Sequence, residues 1–127
     1  MNGNEFLGKW IRFFAPDITK SQYNKRIRNQ YIWHAFSWKI IPKGTYFEGD
    51  EARKAYNGAD KEDAICFQLW RDEFPVPLSE EFDLAEKVET PDGDYDEFYV
   101  VGKDFKWTYI VTHETDMGFG PYFMSLK

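Results

Sequence analysis

A chain of 127 residues with 43% hydrophobic and 20% aromatic residues is sized for one domain, residues 1–127, with a core of its own, and is too apolar to stay disordered. The single cysteine, Cys66, excludes an intramolecular disulfide. No apolar run is long enough to span a bilayer, and the opening MNGNEFLGKW lacks the basic-then-apolar order of a signal peptide, so the expectation is a cytoplasmic protein away from the membrane.

The net charge of −6 hides a polarity: residues 1–45 carry 8 Lys+Arg against 2 Asp+Glu, while residues 46–127 carry 8 against 20. Such runs are commonly solvated faces, here a basic helix lying on an acidic sheet. The sharper alternative is an acidic docking surface for a basic partner.

From the N-terminus, Phe6, Trp10, Phe13 and Phe14 recur at helical spacing, with Asn4 as a candidate cap and Pro16 as the limit. A short strand over Trp10–Phe14 competes with this helix. Thr19-Lys20-Ser21-Gln22 has the form of a capping box and opens the longest helical pattern, to about Trp38, with Tyr23, Ile27, Tyr31, His34/Ala35 and Trp38 as its inward stripe. Pro42-Lys43-Gly44 ends that region. The stretch from Glu48 to Gly58 predicts a short helix with acids first and Asn57-Gly58 as a left-handed cap, Ala52, Ala55 and Tyr56 facing inward.

Ala64–Trp70 alternates as a strand: Ile65, Phe67 and Leu69 share one face, and Cys66, Gln68 and Trp70 the other. Pro75 and Pro77 stop it. Leu78–Thr90 is polar loop with a helical turn near Ser79–Phe82, and Pro91-Asp92-Gly93 is a turn. The strongest structural signal follows. Phe98–Val101 and Trp107–Thr112 are runs of β-branched and aromatic residues around the turn Gly102-Lys103-Asp104, which is a β-hairpin pattern. A last strand is expected over Tyr122–Leu126. Helices first and strands after predict an α+β fold, with N-terminal helices packed on one face of an antiparallel sheet of about four strands.

Reaction chemistry is thinly represented. The two histidines, His34 and His113, would make a metal or acid–base site only if the fold joined them with carboxylates such as Glu114, Asp50 or Glu51. Otherwise each is a structural histidine bonded to backbone or carboxylate. Asp92-Gly93-Asp94-Tyr95-Asp96 opens like a calcium loop, but Glu97 and Lys103 occupy the positions that need glycine and glutamate. Cys66 lies in an apolar run and reads as a core thiol. There is no phosphate-binding glycine loop and no nucleophile elbow, so no cofactor is expected. Aromatics interleaved with acids disfavour nucleic acid as a partner. What remains is three acidic clusters: Asp72 and Glu73; Glu80 and Glu81 with Asp83; and Asp92, Asp94, Asp96 and Glu97. Tyr95, Tyr99 and Trp70 are interspersed as candidate anchors. Acids that steer, with rings that anchor, suit capture of a basic protein. Acidic loops also serve simple solubility.

The segments YIWHAFS (Tyr31–Ser37), EGDEARKAY (Glu48–Tyr56), KDFKWTYIVTHE (Lys103–Glu114) and GPYF (Gly120–Phe123) resemble, in order, a bacterial domain-of-unknown-function family of similar length. That resemblance implies an α+β fold and no established activity. The Asp-Phe-x-Trp…Thr-His-Glu hairpin is also similar to hairpins of small immunity proteins in bacterial toxin systems, including contact-dependent inhibition. The expectation is a non-enzymatic module, an immunity protein that neutralises a basic toxin domain of nuclease type. Its partner-binding residues would be Asp72, Glu73, Glu80, Glu81, Asp92, Asp94, Tyr95, Asp96 and Glu97, and it would be a monomer or weak dimer when free. The alternatives are a small enzyme or metal protein built on His34, His113 and Glu114, and a regulatory or scaffold domain pairing through exposed aromatics.

Overall fold

The computed structural model describes residues 1–27, 32–68, 73–88, 97–112 and 117–126. Among these residues, six strands form one antiparallel sheet: β1 (Phe47–Glu48), β2 (Ile65–Gln68), β3 (Val76–Pro77), β4 (Phe98–Val101), β5 (Trp107–Val111) and β6 (Tyr122–Ser125). Their order across the sheet is β1-β6-β5-β4-β2-β3. The helices are α1 (Gly3–Phe14), α2 (Lys20–Gln22), α3 (His34–Ser37), α4 (Asp50–Gly58) and α5 (Ala85–Val88). The α+β class is as expected, but the sheet has six strands rather than about four. The added β1 and β3 are two-residue edge strands, too short to show a period in sequence.

The hairpin forms where its composition places it, with Phe98 opposite Val111 and Val101 opposite Thr108. Every residue of both strands is buried. Strands buried on both faces must be covered on both faces. The alternation sorts them accordingly. Phe67, Tyr99, Val101, Ile110 and Tyr122 face a core built with Phe6, Trp10 and Phe14 of α1 and Ala35 and Phe36 of α3. Cys66, Phe98, Val100, Trp107, Tyr109, Val111 and Phe123 face a second core with Ala52 and Tyr56 of α4 and Ala85 and Val88 of α5. Helices therefore lie on both faces of the sheet. The N-terminal helix takes one face as expected, while α4 and α5 take the other.

The first helix excludes the competing strand over Trp10–Phe14. Its cap is Asn2 rather than Asn4: Glu5 N–H donates to Asn2 Oδ1 at 2.8 Å and Asn2 N–H to Glu5 Oε1 at 3.3 Å. Trp10 bridges to the sheet, its Nε1–H donating to Thr108 Oγ1 at 2.9 Å, and the Thr108 hydroxyl donates in turn to the Val100 carbonyl at 2.9 Å.

The pattern from Thr19 to Trp38 is not one helix among the described residues. The Thr19–Gln22 capping box is present. After α2, however, Tyr23–Ile27 winds as a π-helix, and among the described residues the next α-helix is His34–Ser37. The wider π turn shifts the phase of the side chains. Ile27 and Ala35 stay buried, but Tyr23 and Trp38 face outward, Trp38 at 53% exposure. Tyr31 lies outside the described residues.

In α4, Ala52 and Tyr56 are buried as expected. The left-handed Asn-Gly cap is not formed, and Ala59 continues in an extended conformation at φ −77°. Instead the Ala59 N–H donates to the Tyr56 carbonyl at 3.1 Å, and Lys61 Nζ donates to the same carbonyl and to that of Ala59, the latter at 2.9 Å.

The β4–β5 loop plugs the end of the first core. Asp104 and Phe105 hold φ of 58° and 57°, in the left-handed region that bulky residues avoid. The Phe105 ring offsets that strain by burial, with centroids 5.2 Å from Phe13 and 6.0 Å from Phe6. At Gly102 a Cβ would lie 2.1 Å from Trp107 Nε1, so only glycine fits under that indole.

Candidate docking surface

The outer strand β3 builds a candidate site from its local sequence. Pro75-Val76-Pro77 favours extended backbone, and proline is tolerated at a sheet edge, where its missing N–H leaves no ladder bond unmade. Val76 pairs with Cys66 and Pro77 with Ile65, and Leu78 N–H donates to Ala64 O at 2.9 Å. On the N-terminal side, Gly3 N–H at the start of α1 donates to Glu73 O at 3.0 Å and fixes that end. On the C-terminal side, Ser79 Oγ accepts from Glu81 N–H at 3.3 Å and caps the tight turn Glu80–Phe82.

The result is a ridge along β3, the last strand of the sheet among the described residues. Glu73, Glu80 and Glu81 are exposed, and between them Phe74 and Val76 are 51% and 44% exposed. Residues 73–87 carry five carboxylates and one lysine, Lys87, which is engaged by Asp83 at 3.2 Å. Apolar anchors flanked by one sign of charge can capture a partner of the opposite sign.

Three of the nine expected partner-binding residues therefore lie on one exposed segment. Asp72, Asp92, Asp94, Tyr95 and Asp96 lie outside the described residues. Glu97 is corrected: at 3% exposure it sits inside the fold at the start of β4 and is not part of an outer face. Tyr99, an expected exposed anchor, is also corrected; at 1% exposure it belongs to the first core. Both follow from the two-sided cover of the sheet, which leaves no wet face for alternate residues of β4. Trp70 lies outside the described residues. The sequence reading missed Phe74 and Val76 as anchors. The signal was there in Phe-Pro-Val-Pro, where prolines keep apolar residues on an edge.

The histidine constellation is less complete. His113 and Glu114 lie outside the described residues. His34 Nδ1–H donates to the Arg26 carbonyl at 2.7 Å, which sets the tautomer, and its ring meets Trp33 edge-on at 4.6 Å. Asp50 Oδ1 accepts from Arg53 at 2.5 Å at the start of α4, where Asp50 and Glu51 suit the helix dipole. Among the described residues, no group of three or more His, Cys, Asp or Glu is placed to hold a metal ion. Cys66 is buried in the second core, as expected.

Among the described residues, the titratable groups with displaced affinity are Tyr46, raised by burial and by Glu48, and Tyr56 and Lys61 at α4 and just after it; none is an exposed acid of the ridge. Burial pushes the Tyr56 phenol well up, with Cys66 and Asp83 adding to it, and its hydroxyl donates to the Phe82 carbonyl. Burial lowers the Lys61 ammonium, against the opposing pull of Asp83 and Asp60. Both groups have structural partners: Tyr56 the Phe82 carbonyl, and Lys61 the carbonyls of Tyr56 and Ala59. No helix among the described residues is long and apolar enough to cross a membrane.

Residues 2–123 match the family model of a domain of unknown function, DUF4275, and the chain belongs to that family. Neither a curated protein nor a solved structure matches it.

Proposed function

We propose that this member of the DUF4275 family is a non-enzymatic binding module, an immunity protein that neutralises a basic bacterial toxin domain by covering it. The observation that carries this reading is the Glu73–Glu81 ridge: exposed acids bracketing two exposed apolar side chains on the outermost described strand, held at one end by α1 and at the other by a capped turn. The concentration of 20 acids in residues 46–127 extends the same charge beyond the ridge. A field of one sign steers a cationic partner and accelerates encounter. A nuclease domain fits as the partner class, because its own substrate-binding surface is cationic for phosphates. An inhibitor of that kind acts in the cytoplasm, where the toxin's substrate lies, and needs no cofactor.

The proposal predicts that a basic toxin domain is encoded beside the gene, and the test is co-expression with it. Growth should be rescued, and a complex should persist through size exclusion. The variant Glu73→Lys/Glu80→Lys/Glu81→Lys should lose both effects while keeping its circular dichroism spectrum. Continued toxicity with the wild-type chain, or rescue undiminished by the triple reversal, would refute the proposal.

A further inference from the structure

A concave site lies between the end of α4 and the β4–β5 loop, lined by none of the ridge residues. It is a cleft of about 340 Å³, in the size range of small-molecule sites. Its floor is aromatic: Trp107 and Phe123 stack with centroids 5.6 Å apart and an interplanar angle of 22°. That floor is rigid, because Gly102 packs directly under the Trp107 indole and Tyr56 meets it edge-on at 5.8 Å. On the helix side the lining includes Ala55 and Gly58, which leave room above the rings.

The rim divides by charge. The connection after α4 contributes Asp60 and Glu62, and the hairpin loop contributes Lys103 and Lys106. The two walls already attract across the gap, with Lys103 Nζ 3.8 Å from Asp63 Oδ2. A ligand with a single charge is drawn to one wall and repelled by the other. A ligand with an ammonium and a carboxylate satisfies both, and a planar or apolar group on it would cover the rings. We propose that this cleft binds a small zwitterion with an aromatic or aliphatic side chain, namely a free α-amino acid of the phenylalanine, tryptophan or leucine type. Lys103 and Lys106 take the carboxylate, Asp60 and Glu62 the ammonium, and Trp107 and Phe123 the side chain. The site is separate from the acidic ridge and uses the hairpin loop that the docking reading leaves unexplained.

The experiment is titration of the full chain with L-phenylalanine, L-tryptophan and L-leucine, by calorimetry and by the Trp107 Nε1–H resonance. At least one should bind with Kd on the order of 0.1–1 mM, as fits a ligand of this size in an open site. Phenylacetate and phenethylamine, each with one charge, should bind at least roughly tenfold more weakly. Gly58→Leu should abolish binding by filling the cleft. A Cβ there meets no atom within 4 Å, so the fold should tolerate the change. Lys106→Glu, at an exposed position, should weaken binding about tenfold without changing the melting temperature. No response to any of the three amino acids at 20-fold over that range, equal binding of the singly charged analogues, or full binding by Gly58→Leu would each overturn the proposal.

Discussion

The Trp10–Thr108–Val100 relay links α1 to the centre of the sheet, and Thr108→Val tests it. Valine keeps the shape of threonine but removes the hydroxyl that accepts from Trp10 Nε1 and donates to the Val100 carbonyl, both at 2.9 Å. Trp10 and Thr108 are fully buried, so water cannot replace the lost partner. A buried donor left without an acceptor costs about 1–3 kcal/mol. The extra methyl recovers part of this through burial, at most about 0.8 kcal/mol. The expected net loss is about 1–2 kcal/mol, which at this chain length lowers the melting temperature by roughly 3–8 °C. Thr108→Ser keeps the hydroxyl and loses the methyl, at a cost of about 1 kcal/mol or less. Urea unfolding followed by circular dichroism gives both values. In the cycle with Trp10→Phe, the two sites should couple by about 1 kcal/mol. If Thr108→Val is as stable as wild type, or the cycle is additive, the relay does not hold α1. Because α1 also fixes Glu73 through Gly3 N–H, loss of the relay should increase hydrogen exchange in residues 73–77.

Other expectations concern single positions. Gly102→Ala forces a Cβ to 2.1 Å from the Trp107 ring and should cost more than about 3 kcal/mol, read as loss of cooperative unfolding near room temperature. Tyr56→Phe removes the donor to the Phe82 carbonyl and should cost about 1 kcal/mol in urea unfolding. The Tyr56 phenol titrates higher in the folded state than its ordinary value of 10.0, so its contribution is constant below that pH and is lost progressively above it. Wild type should therefore lose stability more steeply above about pH 10 than Tyr56→Phe, and parallel pH profiles would contradict this. Phe74→Ser and Val76→Ser, at exposed positions, should change stability by less than about 0.5 kcal/mol while weakening partner binding, as measured by unfolding and calorimetry.

The hairpin was legible in sequence because its two runs are long, apolar and bounded by turn residues. Helix α1 and the Thr19 capping box were legible for similar reasons: local spacing and a local hydrogen-bond pair decide them. The break after Gln22 was not legible, because a π turn keeps apolar residues near helical spacing and changes only which of them face inward. The cover on both faces of β4 and β5 was readable in principle from their unbroken apolar runs, but the acid at Glu97 suggested a wet flank. Of the docking surface, the acids at Glu73, Glu80 and Glu81 were plain in composition. Their anchors were hidden, because a two-residue edge strand between prolines carries no period. The cleft beneath Lys103 and Lys106 depends on contact between α4 and the hairpin, which no local pattern encodes.

The central claim is that the acidic ridge captures a basic protein by charge and by two apolar anchors. The most direct measurement is the association rate of the chain with the toxin domain that the proposal predicts beside its gene, taken from low to physiological salt for wild type and for Glu73→Lys/Glu80→Lys/Glu81→Lys. The account predicts fast, strongly salt-dependent association for wild type, and a rate at least roughly tenfold lower with little salt dependence for the variant. Equal rates and equal salt slopes for the two chains would contradict it.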